Sequence, residues 1–311
     1  MSAVALDEAE LSARLSRFHW GNSVASPPPE PGPTHPWDLV DILQAAGPAP
    51  EATLLRRTDG AGLFYPGVIN ALFAPYESAK TFVALLTCLQ VMEQGGTALY
   101  VDFESSPRAI ANRLRALGGL GLAESFGYIR PTLPVDHDRL AAALDRLDPT
   151  VVIVDAAAEA MVTHDFDENS NADYMRFSRL LLEPLEERGC GVVLLDHLGH
   201  SGEKPRGASA KMAAVHGSAL RIEVETPFRP GHNDGMARVF VAKDREGQVR
   251  KVSTAETLVA YLHLITDRDS GVLRVELEPP AGPVAITPNH SVERLSSSVA
   301  AALKQRAEER R

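Results

Sequence analysis

Apolar runs and amphipathic stretches alternate along most of the chain. Five short runs are almost wholly apolar, as is typical of strands buried on both faces of a sheet: Gly67 to Ala74, Thr97 to Phe103, Phe126 to Ile129, Thr150 to Asp155 and Gly191 to Asp196. Between them, apolar residues recur at helical spacing, at about Lys80 to Glu93, Pro107 to Leu117, Arg139 to Leu147 and Ala172 to Arg188. The alternation predicts an α/β fold with a mainly parallel sheet flanked by helices.

The pattern changes after Gly217, where shorter strand-like runs follow one another with turn residues between them. These runs predict an antiparallel extension of the same sheet at its C-terminal side: Ser218 to Glu225, Met236 to Asp244, Leu258 to Ile265 and Gly271 to Glu278. We therefore divide the chain into three parts. We expect residues 1–36 to form an N-terminal helix (Asp7 to Arg17) and a proline-rich linker, residues 37–280 the globular domain, and residues 281–311 a linker and a charged helix.

Composition narrows the class of protein. The two cysteines, Cys88 and Cys190, each lie in an apolar segment and form no C-x-x-C pair, which suits a reducing cytosol and not a zinc or redox site. We find neither a signal peptide nor a membrane-spanning run, so we expect a cytoplasmic protein with no membrane contact. The formal net charge of −10 means that any contact with nucleic acid depends on a local basic segment.

One turn resembles a phosphate-binding loop. The stretch "LFAPYESAKTF" follows the pattern G-x-x-x-x-G-K-[ST], except that Ala74 and Ala79 replace both glycines. Such a loop binds phosphates through backbone N–H groups and a helix N-terminus, with a lysine on the terminal phosphates and a hydroxyl on Mg²⁺. The predicted nucleotide-binding residues are Ala74, Pro75, Tyr76, Glu77, Ser78, Ala79, Lys80 and Thr81. Taken alone, the motif fits an ordinary strand–turn–helix equally well.

The alanines are expected to weaken the site. Glycine permits positive φ and a close approach of the backbone to phosphate, whereas a Cβ at Ala79 is expected to point into the space of the phosphate oxygens. One methyl group costs about 1–3 kcal/mol through strain. We expect a weaker nucleotide site and not its complete loss.

Two acidic residues follow predicted strands at suitable separations. Glu104 comes just after "YVDF", on a strand expected to be adjacent to the loop, where a carboxylate can activate water. Asp155 ends the apolar strand "VVIVD", the Walker-B arrangement that holds the Mg²⁺ shell together with Thr81. Each has an ordinary alternative, a helix-capping acid for Glu104 and a common strand end for Asp155. Their order behind Lys80 favours a nucleotide site.

Further polar groups follow downstream. His197 ends another strand, in "LLDH", where it can sense a terminal phosphate. The loop from Gly199 to Lys211 carries four basic residues among glycines and serines, which suits contact with a nucleic-acid backbone, although a solvated surface loop is an equal alternative; these are His200, Lys204, Arg206 and Lys211. Lys243 and Arg245, at a strand end, are predicted to point together towards a neighbouring subunit.

The ordered set of motifs resembles a known family. "RRTDGAGLFYPGVINAL", the loop, "LYVDFE", "VVIVDAAAEAM", "LLDHLGH", "RGASAK" and "VAKDREG" are similar to RecA-like P-loop ATPases close to the plasmid-type hexameric replicative helicases. The likeness is greatest to actinobacterial and phage-borne AAA family ATPases of that group, and it covers Trp37 to Pro280.

The resemblance implies an ATP site shared between the subunits of a homo-oligomeric ring, a hexamer. In that family pattern Lys80 and Thr81 contact the phosphates and Mg²⁺, Asp155 supports the metal and Glu104 is the catalytic base. The resemblance also implies that His197 is a sensor and that Lys243 and Arg245 reach the γ-phosphate of the adjoining subunit. The loop from Gly199 to Lys211 is implied to face single-stranded DNA. His200 stands where the family pattern has a lysine.

Two functions follow as hypotheses. The first is an ATP-hydrolysing motor on DNA, a helicase or helicase-like protein that replicates a mobile element. The second is a nucleotide-binding regulatory or assembly protein with weak or no ATP turnover, which the alanines favour. A sequence-specific DNA-binding factor has less support, because no helix-turn-helix pattern or broadly basic domain is present.

Overall fold

The structure is a computed structural model that describes residues 47–198, 209–228, 234–266 and 272–280, together with Leu39. The chain divides into two compact units, Met1–Pro48 and Ala49–Arg311, and every element below belongs to the second. Three predicted features lie outside the described residues. They are the N-terminal helix with its linker, the C-terminal helix, and residues 199–208 of the basic loop.

The strands and helices follow each other in an order close to the predicted one. The strands are β1 (Leu54–Arg56), β2 (Gly62–Phe64), β3 (Ile69–Ala74), β4 (Ala98–Asp102), β5 (Phe126–Ile129), β6 (Val151–Asp155), β7 (Gly191–His197), β8 (Ser218–Thr226), β9 (Asp234–Asp244), β10 (Leu258–Thr266) and β11 (Leu273–Glu278). The α-helices are α1 (Lys80–Glu93), α2 (Pro107–Ala116), α3 (His137–Leu147), α4 (Ala157–Thr163), α5 (Asn171–Phe177), α6 (Glu183–Glu187), α7 (Ala210–Ala213) and α8 (Gln248–Lys251). No helix in the described ranges is long and apolar enough to cross a lipid bilayer.

A single nine-stranded sheet organises the domain, in the order β11-β10-β9-β8-β3-β7-β6-β4-β5. The strands from β8 to β5 in this order are parallel, and β8 to β11 are joined by antiparallel pairs. The predicted fold class is confirmed: a RecA-like α/β fold with a mainly parallel sheet flanked by helices and an antiparallel extension at the C-terminal side. Strands β1 and β2 form a separate antiparallel hairpin.

The central strands are apolar on both faces because each face is covered by helices. In β6, Val151 and Ile153 pack into the cluster that contains residues of α1, while Val152 and Val154 pack into the cluster on the other face, with residues of α4 and α5. Alternate residues of a strand point to opposite faces. The continuous apolar runs in the sequence therefore reflect burial on both sides.

A buried asparagine holds the start of β3, the strand that leads to the phosphate loop. The Asn70 side-chain oxygen accepts hydrogen bonds from the backbone N–H groups of Tyr65 at 3.0 Å and Ser218 at 3.1 Å. Its amide nitrogen donates to the carbonyl oxygens of Tyr65 and Val68. These bonds fix β3 against the start of β8, so the loop beyond β3 begins from a rigid support.

Differences from the predicted elements are local. The helix predicted from Ala172 to Arg188 is divided into α5, a π-helical turn (Ser178–Leu182) and α6. The β1–β2 hairpin, α4 and a 3₁₀ helix (Gly119–Ser125) were not predicted. The hairpin strands and α4 are too short to show a clear hydrophobic period, which requires a window of about 11 residues.

Candidate nucleotide-binding site

The phosphate loop connects β3 directly to α1. Two of its non-glycine residues have left-handed backbone conformations, Glu77 with φ of 56° and Ala79 with φ of 66°. The Ser78 hydroxyl donates to the carbonyl oxygen of Pro75 at 2.6 Å and closes the turn. The carbonyl oxygen of Ala79 then accepts hydrogen bonds from the N–H groups of Phe82 and Val83, which start the helix. The turn thus makes the left-handed steps for which glycine is usual.

The two alanines differ in their consequences. Ala74 is the last residue of β3 and is fully buried, and its φ is not positive, so this position does not require the backbone freedom of glycine. Ala79 holds a left-handed conformation that costs an L-residue about 1–2 kcal/mol. Its side chain packs against the main hydrophobic cluster. This contact corrects the expectation that the Ala79 methyl group points into the phosphate space.

Lys80 connects the loop to two other strand ends. This lysine is only 7% exposed, and its Nζ lies 2.8 Å and 3.1 Å from the two ring nitrogens of His197, at the end of β7. The same Nζ lies 3.6 Å from Oε2 of Glu104. Tyr76 of the loop stacks on the His197 ring with centroids 4.0 Å apart. The structure therefore brings together three predicted site residues, Lys80, Glu104 and His197.

Glu104 reaches this place from a distant strand, which corrects the expectation that its strand is adjacent to the loop strand. In the sheet, β7 and β6 separate β4 from β3, three inter-strand steps of about 4.8 Å each. Asp102, at the end of β4, turns the chain, because its Oδ1 accepts the backbone N–H groups of Glu104 at 3.0 Å and Ser105 at 2.6 Å. The Tyr128 hydroxyl donates to its other oxygen at 2.9 Å. The polar turn therefore aims Glu104 at the site.

Asp102 was missed as a positioning residue in the sequence. The available signal was an aspartate at the end of an apolar strand, followed by "FESS", because such a side chain commonly bonds backbone N–H groups two or three residues on.

Asp155 is a buried carboxylate with one oxygen engaged. The Tyr100 hydroxyl donates to Oδ2 at 2.6 Å, whereas Oδ1 is shielded from solvent and has no hydrogen-bond partner among the described residues. Burial raises the Asp155 pKa to about 6, and the bond from Tyr100 and the charge of Lys80 oppose that shift. A free, buried carboxylate oxygen is the type of ligand that Mg²⁺ and its water shell prefer. Together with Thr81, the second residue of α1, it fits a magnesium ion.

Glu159 is a further acid at the site that the sequence analysis missed. It lies in the first turn of α4. One of its oxygens, one Glu104 oxygen and one His197 ring nitrogen all lie within 4.8 Å of one another. The available signal was an acid four residues after the strand-ending Asp155, within the turn of chain that begins the next helix.

The strand end at His197 also holds a buried ion pair. Lys211 is 1% exposed, and its Nζ donates to Oδ2 of Asp196 at 2.8 Å. Burial raises the Asp196 pKa, and Lys211 opposes that shift. This position corrects the expectation for Lys211, because a side chain buried against Asp196 is withdrawn from contact with nucleic acid. The other three basic residues of the loop lie outside the described residues.

Lys243 and Arg245 have different surroundings. The Lys243 Nζ donates to backbone carbonyl oxygens at the end of α7 and just after it, at 2.7 Å for Met212 and 2.7 Å for Val215. Burial lowers the Lys243 pKa, and Arg245 adds to the shift. This corrects the expectation that both side chains point together at a neighbour, because Lys243 binds carbonyls of its own chain. Arg245 lies one residue beyond β9 and is exposed.

Comparison with known proteins identifies the family. A family model described as AAA domain matches residues 44–203, just over half of the chain and including the loop, Glu104, Asp155 and His197. The chain belongs to this AAA domain family. No curated protein matches it.

Among solved structures, this AAA domain is similar to the crystal structure of a KaiC-like protein from the hyperthermophilic archaeon Pyrococcus horikoshii OT3. The TM-score is 0.54 at 13% sequence identity, over 75% of this chain and 100% of that one. At this identity the likeness concerns the fold. It supports the RecA-like α/β fold with the sheet order described above.

Proposed function

We propose that this AAA domain protein is an ATP-binding and ATP-hydrolysing motor that acts on single-stranded DNA as a helicase or helicase-like enzyme. The observation that carries the proposal is the meeting of Lys80, Glu104 and His197 from three separate segments. Beside them, the buried Asp155 has an oxygen without a hydrogen-bond partner in the described part of the chain. An ordinary strand–turn–helix needs none of these partners. The resemblance of the motif set to plasmid-type replicative helicases supports a role in replication of a mobile element.

Each residue has one role in the proposed reaction. Lys80 moves from Glu104 and His197 to the terminal phosphates of ATP, which replaces a 3.6 Å ion pair by contact with a more highly charged partner. Glu104, released from the ammonium group, then accepts a proton from the attacking water. Thr81 and Asp155 would hold the Mg²⁺ ion, which would supply neutralisation of the phosphate charge.

His197 connects the site to the remainder of the sheet. It contacts Lys80 and stacks on Tyr76, so its surroundings change when Lys80 moves to the phosphates. The basic loop from Gly199 begins two residues beyond it. A group in this position can transmit the state of the nucleotide to the loop that we propose for DNA contact. After the correction for Lys211, the basic residues of that loop are His200, Lys204 and Arg206.

The proposed active form is a homo-oligomeric ring, a hexamer. Arg245 is exposed just beyond the end of β9, where it is available to the nucleotide of an adjoining subunit. An arginine supplied in this way stabilises the charge of the transition state.

A regulatory or assembly protein with slow turnover is the second candidate. Two observations favour it: the strained left-handed Ala79, and the engagement of Lys80 by the carboxylate that would serve as the base. In this alternative ATP or ADP is a structural ligand. The two candidates differ in whether bound ATP is consumed.

Phosphate release with and without single-stranded DNA tests the proposal. We expect ATP turnover by the wild type that single-stranded DNA stimulates. Glu104→Gln should lose turnover but retain ATP binding, whereas Lys80→Ala should lose both turnover and ATP binding. Mass photometry with ATP should show a hexamer for the wild type. ATP binding without turnover, with or without DNA, would support the second candidate instead.

A further inference from the structure

Glu159 has an unexplained position within the candidate site. Its Oε2 is shielded from solvent and has no hydrogen-bond partner among the described residues. A buried polar atom in a native protein normally has a partner, from the protein or from an ordered water. Glu159 therefore points to a hydrogen-bond donor at this place, and that donor is absent from the described side chains.

The spacing of the carboxylates suits one water molecule. A water that donates two hydrogen bonds of about 2.8 Å joins acceptors about 4.5 Å apart, and one oxygen of Glu104 lies within 4.8 Å of one oxygen of Glu159. His197 contributes a ring nitrogen 3.8 Å from Oε2 of Glu104. The two carboxylates thus form a pair of acceptors at the place where the proposed base acts.

A divalent cation is the competing occupant, because the same three side chains offer it one nitrogen and two oxygen ligands. The Lys80 ammonium group counts against it. This Nζ lies 2.8 Å from the Nε2 of His197 and 3.6 Å from the Glu104 oxygen, so it already holds the nitrogen ligand and repels a second positive charge. A water fits beside Lys80 without that cost.

We propose that Glu159 is a second carboxylate of the hydrolytic centre, which orients the water that Glu104 deprotonates. The inference rests on the proposed ATPase function. The water gives one proton to Glu104 and donates its other hydrogen to Glu159, so that its oxygen lone pair faces the γ-phosphorus. The new oxygen–phosphorus bond forms as the bond between the γ-phosphorus and the β,γ-bridging oxygen breaks. The products are ADP and phosphate, and the proton returns from Glu104 to solvent.

The two carboxylates then respond differently to replacement by glutamine. Glu104 must accept a proton, so Glu104→Gln abolishes turnover. Glu159 needs only to accept a hydrogen bond, which an amide oxygen also does. Glu159→Gln is therefore expected to lower kcat by only about 3-fold and Glu159→Ala by about 30-fold, in line with the cost of a misplaced reactant. KM and the dissociation constant for ATP should stay within about 2-fold of the wild-type values in both variants.

The experiment measures kcat, KM, ATP affinity and melting temperature for the full chain and for Glu104→Gln, Glu159→Gln and Glu159→Ala. Glu93→Ala is the matched control, because Glu93 is an exposed acid at the other end of α1, about 20 Å from Lys80 at 1.5 Å per residue. It should retain wild-type turnover. Mn²⁺ binding to the nucleotide-free protein is measured in parallel.

The outcomes separate this inference from the proposed function. A wild type without turnover, or a Glu104→Gln variant with full turnover, refutes the ATPase mechanism as a whole. Loss in Glu104→Gln with normal turnover in Glu159→Ala refutes the role of Glu159 alone. Equal losses in Glu159→Gln and Glu159→Ala, or a loss matched by weaker ATP binding or a lower melting temperature, also overturn it. The proposal is also overturned if the wild type binds Mn²⁺ and Glu159→Ala does not, because a cation would then occupy the position assigned to the water.

Discussion

Asp155→Asn should make the protein more stable at neutral pH while removing the carboxylate that we propose as a magnesium ligand. Burial raises the pKa of Asp155 in the native protein to about 6, from 3.8 for an ordinary aspartate in the unfolded chain. At pH values between 3.8 and about 6, Asp155 keeps its proton in the native state and has released it in the unfolded chain. The contribution of this group to the free energy of unfolding is therefore complete below pH 3.8 and is lost as the pH rises through about 6. A shift of about two units corresponds to about 3 kcal/mol at 1.36 kcal/mol per unit.

Asparagine isolates this contribution because it cannot ionise, while its side-chain oxygen can still accept the hydrogen bond from the Tyr100 hydroxyl. We expect the two proteins to have similar free energies of unfolding at pH 4. At pH 8 the variant should exceed the wild type by up to about 3 kcal/mol. Urea unfolding at several pH values between 4 and 8 measures the difference. A difference that does not change with pH would refute the reasoning, because it would show that Asp155 is not held against its own charge.

The same carboxylate should make magnesium binding dependent on pH. A carboxylate must lose its proton to act as a metal ligand, so the affinity for magnesium nucleotide should fall as the pH drops below about 6. Asp155→Asn should bind nucleotide weakly at every pH. The ionised Asp155 carboxylate would thus lower the stability of the protein at neutral pH while being ready to bind a metal ion, a trade-off that is common at functional sites.

Four further predictions concern single side chains. Ala79→Gly relieves left-handed strain but gives the unfolded chain more conformational freedom, so the free energy of unfolding should change by less than about 1 kcal/mol. The affinity for ATP should change by less than about 3-fold, because the Ala79 methyl group packs against the core. Lys211→Met leaves the buried Asp196 carboxylate without its cation and should lower the free energy of unfolding by about 3–5 kcal/mol. Lys243→Met should cost about 1–2 kcal/mol through lost bonds to backbone carbonyls, whereas Arg245→Ala should reduce turnover without changing the melting temperature.

The predictions for Ala79, Lys211 and Arg245 each have a direct check. A tightening of ATP binding by more than about 10-fold in Ala79→Gly would show that the methyl group does obstruct the phosphates. The double variant Lys211→Met with Asp196→Asn should recover most of the stability, because no buried charge remains; failure to recover would contradict the ion-pair explanation. Mixing Arg245→Ala subunits with Glu104→Gln subunits should restore turnover at mixed interfaces, and no restoration would contradict a role in trans.

The sequence predicted the fold well because the pattern that encodes it is strong. Continuous apolar strands and long amphipathic helices identified the parallel sheet, and the change of pattern after Gly217 identified the antiparallel strands. The sheet order was less accessible, since a linear pattern does not show that β6 and β7 separate β4 from β3. Side-chain partners across the sheet depend on that order.

The residues of the candidate site were likewise predictable only in part. Motifs singled out Lys80, Glu104 and His197, which the structure brings together, because the chemistry of phosphate favours such residue types after strand ends. Asp155 was singled out in the same way, and the catalytic and binding roles of all four stay predictions. Glu159 was not found, since its position depends on how α4 leaves β6. The burial of Lys211 and the bonds of Lys243 were hidden for the same reason: a basic residue in a sequence looks available until its fold partners are known.

Titration calorimetry with magnesium ATP, on the wild type and on Lys80→Ala, tests the central claim most directly. We expect the wild type to bind one nucleotide per subunit. Lys80→Ala should bind it at least about 10-fold more weakly, which corresponds to about 1.4 kcal/mol of lost phosphate contact. A wild type that gives no binding, or equal affinity in both proteins, would contradict the account.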